Sequence, residues 1–213
     1  MLSDVTEKVK GFLLKPVDTF KATRKESLGT AFQYYTFLLI IFSVLYAIVS
    51  SAVGLSAFNE FLNQLGATGL IGGYGASALQ AFTGFVAALS LLMAYILFLI
   101  LLLGVFLDGF FYHVFVLLFG GTKGVAQTIK TVMYASTPFF ILGWIPYVSI
   151  IGAVWAWILL IIGIKENQEM ALSHAILVVV IPLVLLLILA LIAAAVMGTF
   201  LGALMSLLPG RLY

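Results

Sequence analysis

The chain has 213 residues, 64% of them hydrophobic and 8% charged, with a formal net charge of +2. A soluble domain carries about 25% charged residues, so the polar groups present could not cover a water-soluble fold, and the charge is too small to point to nucleic acid. There is no cysteine, which excludes a disulfide framework, thiolate chemistry and a cysteine-based metal site.

Long runs free of Asp, Glu, Lys and Arg predict transmembrane helices, because only helices and closed barrels satisfy every backbone group in lipid. A barrel would need alternating apolar and polar residues, and a run such as LLILALIAAAV does not alternate. The reading is an all-α integral membrane protein with five transmembrane helices and an N-terminal amphipathic, interfacial helical segment.

Residues 1–28 form that segment. Val5, Val9, Phe12 and Leu13 recur at the spacing of one helix face, and Pro16 suits the first turn of a second helix. The basic residues Lys8, Lys10, Lys15, Lys21, Arg24 and Lys25 flank the apolar positions. This pattern predicts a helix lying on an anionic membrane surface; the alternative is a solvated stretch that only fixes topology. The stretch lacks the early apolar core of a cleaved leader.

The membrane domain, residues 29–213, divides into spans at about 32–53, 82–107, 129–145, 149–164 and 172–198. Residues 54–76 read as a loop in which SAFNEFLNQLGA could form a short amphipathic helix; the rest is glycine-rich, with no GK[ST] ending to support a phosphate loop. The apolar run from 78 to 119 would be about 60 Å long as one helix. It reads as a single span that continues along or past the interface, leaving Asp108 and His113 near that interface. Gly120-Gly121 ends this helix. Pro138 falls inside the third span, Pro146 marks a tight turn, and Pro182 marks a kink in the last helix. By the positive-inside rule the N-terminus is cytosolic and the C-terminus extracytoplasmic, since only Arg211 then lies outside.

The stretch from Phe111 onward carries a resemblance. Gly120-Gly121, Tyr134-Ala135-Ser136-Thr137-Pro138, Trp155-Ala156-Trp157, Gly163-Ile164-Lys165 and Leu172-Ser173-His174-Ala175 together resemble the prokaryotic branch of the Yip family, named for eukaryotic members that interact with Rab-type GTPases. Leu14-Lys15-Pro16-Val17-Asp18-Thr19-Phe20 is similar to the start of that branch. The resemblance implies five membrane helices, a cytosolic N-terminus, work in membrane organisation through partners, and no enzymatic activity. The DLYGP signature of the eukaryotic members is absent.

Few residues could carry chemistry. Asp108 is the sole carboxylate between Glu60 and Glu166. It marks either where the helix leaves the lipid or an intramembrane acid with a proton or ion role. Tyr112 shares its helix face and His113 does not. Tyr134, Ser136, Thr137 and Pro138 concentrate polarity in one span, as a packed kink or as a hinge and polar cavity wall. His113 and His174 lack metal-ligand spacing, and Ser173 beside His174 is no catalytic pair, because helix neighbours point about 100° apart. Ala190, Ala194, Gly198 and Gly202 form a smooth face suited to helix packing, within the chain in preference to a homodimer. No cofactor or metal is expected.

Two functions remain open. The first is a non-enzymatic membrane protein that organises membrane or recruits a protein partner at its cytosolic face. The second is a small transporter, channel or lipid-handling protein built on Asp108 and the Pro138 kink.

Overall fold

The computed structural model describes residues 2–67 and 76–207. These residues form α1 (Leu2–Leu14), α2 (Pro16–Thr23), α3 (Leu28–Ala67), α4 (Ala76–Leu118), α5 (Val125–Ala135), α6 (Thr137–Leu142), α7 (Ser149–Gln168) and α8 (Leu172–Leu207). Most of the glycine-rich stretch, and Arg211, lie outside the described residues.

Local chemistry sets the element ends. The Ser27 hydroxyl accepts the Thr30 N–H at 3.0 Å, capping α3. α4 stops at Gly120, whose φ of 86° favours glycine; the Gly121 N–H then reaches back to the Val116 carbonyl at 2.8 Å. α1 and α2 close against each other at Gly11, where an added Cβ would lie 2.5 Å from Thr19 Oγ1.

Four helices are long and apolar enough to cross a membrane: Leu28–Phe61, Phe82–Leu118, Ser149–Gln168 and Leu172–Leu204, among the described residues. α3 and α4 run antiparallel. Phe58 meets Phe82 at 5.0 Å and Phe32 meets Phe106 at 5.3 Å, while the Tyr35 hydroxyl donates to the Leu101 carbonyl at 2.7 Å. α5 and α6 turn back on α7 in a second antiparallel hairpin, with Gly152 against Phe139 and Gly163 against Thr131. α8 leaves along α7 and α4.

One expectation about element bounds changes. Residues 54–67, read as loop or as a short separate helix, continue α3. A lone glycine costs a helix only about 1 kcal/mol, and packing against α4 offsets it. The kink expected at Pro138 divides the third span into two short helices, since Pro138 removes a backbone donor and the helix breaks at Ser136. α8 continues as one element through Pro182.

The core sits at one end of the bundle, where α1 and α2 join it. Phe12 and Phe20 are fully buried. Phe12 stacks on Tyr134 at 4.9 Å and meets the Phe20 ring edge-on at 4.9 Å; Tyr34 lies 5.4 Å from Tyr134. The amphipathic face read as resting on a membrane surface is therefore covered by protein at Val5, Phe12 and Phe20. The small-residue face of α8 corrects in the other direction. Ala190, Ala194, Gly198 and Gly202 are exposed, and among the described residues nothing lies within 4 Å of a Cβ placed on either glycine. Among the described residues they do not pack within the chain: every residue from 184 to 204 is exposed.

Candidate functional site

The polar end of the bundle is tied by hydrogen bonds. The Lys130 ammonium donates to the Arg24 carbonyl at 2.8 Å and the Glu26 carbonyl at 2.7 Å. Lys130 is 4% exposed, so these bonds form away from bulk water, where charge-assisted bonds count most. The Glu26 carboxylate accepts from the Tyr134 hydroxyl and pairs with Lys8 at 2.9 Å. This network joins the chain between α2 and α3 to α5, and brings α1 with it.

A second set fixes the turn between α4 and α5. Gln168 accepts the Lys123 N–H at 3.0 Å and donates to the Gly124 carbonyl at 3.1 Å and Thr128 Oγ1 at 3.0 Å. Asn167 donates to Thr131 Oγ1 at 2.8 Å. Glu169 adopts a left-handed φ of 54°, uncommon for a residue with a side chain. Arg24 at 2.5 Å and Lys123 hold its carboxylate. The hydrogen bond from Lys123, with the charges of Arg24 and Lys123, keeps that carboxyl below the usual carboxylate range.

The break at Ser136 is a satisfied joint. Pro138 leaves the Tyr134 carbonyl without its helical donor, and the Thr137 hydroxyl supplies one at 2.6 Å. That hydroxyl has one proton, so the Tyr34 hydroxyl is the donor in its 3.0 Å bond to Thr137 Oγ1. Ser136 Oγ donates to the Val132 carbonyl at 2.9 Å and keeps lone pairs free.

Beside this joint lies a cavity of about 270 Å³ between α4, the α5–α6 pair and α7, lined in part by Asp108, Tyr112, Ser136, Phe139, Trp157 and Leu160. Ala135, Ala153 and Ala156 also border it, and their small side chains leave the room. Asp108 is exposed at its edge, on the outer side of a helix otherwise apolar enough to span. A carboxylate at the centre of such a helix costs about 2.5–3.5 kcal/mol on insertion scales. Asp108 lies about 7.5 Å along α4 from His113, at 1.5 Å per residue. The His113 Nδ1 meets Thr128 Oγ1 at 2.9 Å, in the polar layer.

The expected polar group thus divides. Asp108, Tyr112 and Ser136 share the cavity; Tyr134, Thr137 and Pro138 build the joint; His113 belongs to the polar layer. His174 lies 6.2 Å from the Phe119 ring, far from His113 in role. Of the basic residues, Lys8, Lys21 and Arg24 are in ion pairs, Lys21 loosely with Glu166 at 3.9 Å. Lys10, Lys15 and Lys25 are exposed. The sequence reading missed Glu26, Lys130, Asn167 and Gln168. A signal existed: Gln127, Thr131 and Tyr134, with Thr128 beside them, recur at helical spacing. A polar stripe on a short helix within an apolar chain marks a face that must be satisfied inside the protein.

No curated protein and no solved structure matches the chain. The Yip1 domain family matches residues 10–195, from the middle of α1 to the outer half of α8. The match takes in the end of α1, all of α2, the joint and the cavity, and the chain is a multi-pass membrane protein of the Yip1 domain family.

Proposed function

We propose that this protein is non-enzymatic and that it organises membrane or recruits a partner at its polar end, which faces the cytosol. One observation carries the reading: the buried Lys130 ammonium bonds the Arg24 and Glu26 carbonyls and so fixes α1 and α2 to the bundle. Exposed Lys10, Lys15 and Lys25 are then presented at set positions and not on a swinging tail. A preorganised surface loses less conformational freedom on binding. The excess of Lys and Arg at this end favours a cytosolic placement and suits anionic lipid or an acidic partner surface.

The test is affinity purification from native membranes, with mass spectrometry, of the wild type and of a Lys10→Glu/Lys15→Glu/Lys25→Glu variant. Removing residues 1–28 is the wrong comparison, because it strips Phe12 and Phe20 from the core. A stoichiometric protein that accompanies the wild type and is lost from the variant is the expected result. A wild type that brings no protein, or a variant that retains it fully, refutes the reading.

A further inference from the structure

We propose that the cavity at Asp108 binds a membrane lipid through a primary ammonium headgroup. This goes beyond recruitment at the polar end and rests on different residues. Asp108 has no hydrogen-bond or ion-pair partner among the described residues, and neither does the Tyr112 hydroxyl. Ser136 Oγ has committed its proton to the Val132 carbonyl, so it can only accept from the cavity. Around one space of about 270 Å³ there are thus a carboxylate and two oxygens with lone pairs, and no lysine or arginine. An ammonium has three donors and no acceptor. It complements this set, and a headgroup of net negative charge does not.

The size and direction of the space favour a lipid over a bare ion. A single water needs about 10–15 Å³, so the cavity exceeds an ion's requirement many times. Its polar and apolar linings are also separated along the membrane. Asp108 and Tyr112 lie toward the polar end of the bundle. Phe139 on α6 and Ala153 on α7 lie deeper, because α6 follows α5 away from that end and α7 returns to it. A lipid standing in the leaflet on the polar side has the same order, with headgroup outward and chains inward. Trp157, 43% exposed, and exposed Asp108 leave the cavity open on its side, where a lipid can enter from the bilayer without crossing the core. The ammonium would also meet the Tyr112 and Trp157 rings favourably.

The experiment uses the full chain reconstituted in nanodiscs of equal parts phosphatidylethanolamine, phosphatidylcholine and phosphatidylglycerol, extracted gently and read by native mass spectrometry. The expected result is retained phosphatidylethanolamine, about tenfold enriched over phosphatidylcholine, as a charge-assisted hydrogen bond to the ammonium implies. Asp108→Asn should abolish the enrichment. Because Asp108 is exposed, that variant should keep the wild-type melting temperature in lipid-free detergent, where no bound lipid adds stability. Ala156→Leu, which fills the cavity and leaves the carboxylate in place, should lower retention as well. Equal retention of the choline lipid, or an unchanged profile in Asp108→Asn, overturns the proposal. So does a protein, in place of a lipid, crosslinked to a photoreactive residue at Trp157. Loss of the partner of the lysine surface leaves these outcomes untouched, so the two readings fail separately.

Discussion

Gly163 should be the least replaceable glycine of α7, and the reason can be separated into parts. An alanine Cβ at this position would lie 2.5 Å from Thr131 Cγ2, 2.6 Å from Phe20 Cζ and 2.7 Å from Phe20 Cε1. Real Cβ atoms do not approach so closely, and Phe20 is fully buried with no free side to move to. Overpacking of this kind costs about 1–3 kcal/mol. Phe20→Ala alone should cost about 3–5 kcal/mol by losing buried ring contacts. If Gly163→Ala acts by pressing on Phe20, the double variant should cost less than the sum of the two, by about 0.5–3 kcal/mol. Thr131→Ser offers a second cycle, because it removes Cγ2 and retains the hydroxyl that Asn167 bonds. The assay is reversible unfolding in mixed detergent micelles, followed by tryptophan fluorescence, for all singles and doubles. Strict additivity in both cycles would refute the claim that α2, α5 and α7 meet at Gly163.

Four other outcomes follow from the same geometry. Lys130→Met should destabilise by about 1–3 kcal/mol for each buried carbonyl it leaves without a donor, and should open Lys21 and Lys25 to trypsin in native detergent conditions; wild-type cleavage rates would contradict this. For Glu169 the folded carboxyl is held below its ordinary value of 4.5, so its contribution is present above that pH and lost as pH falls through the folded value. Glu169→Gln should therefore flatten the acid side of a melting-temperature profile, and an unchanged acid limb would count against the pairing with Lys123 and Arg24. In this cysteine-free chain, Ser136→Cys should react with a small thiol reagent well before Leu159→Cys, which is fully buried; equal protection would mean the cavity is closed. Gly198→Leu should leave the stability of the protein in detergent within about 0.5 kcal/mol of wild type, since open space surrounds the added side chain, and a larger loss would show that this face is packed.

The sequence by itself determined the solvent and the element type. Helices of 34, 37, 20 and 33 residues with high mean hydropathy follow from long uncharged runs, because lipid leaves the backbone no partner but itself. It also located the joint, since Pro138 must free the Tyr134 carbonyl and Thr137 is at hand to satisfy it. It drew Asp108, Tyr112, His113, Tyr134, Ser136, Thr137 and Pro138 into one candidate group, of which only Asp108, Tyr112 and Ser136 line the cavity.

What hydropathy cannot decide is which apolar surface meets lipid and which meets protein, because both environments reward the same side chains. Phe12 and Phe20 could have lain on a membrane, yet they are buried against Tyr134; Gly198 and Gly202 could have packed, yet they face outward. Lys130 reads as a loop charge until Arg24 and Glu26, over a hundred residues earlier, supply its carbonyls. Those decisions depend on contacts between residues distant in the chain. Only the tertiary structure holds them, because each buried donor must find its acceptor in space, whatever its place in the sequence.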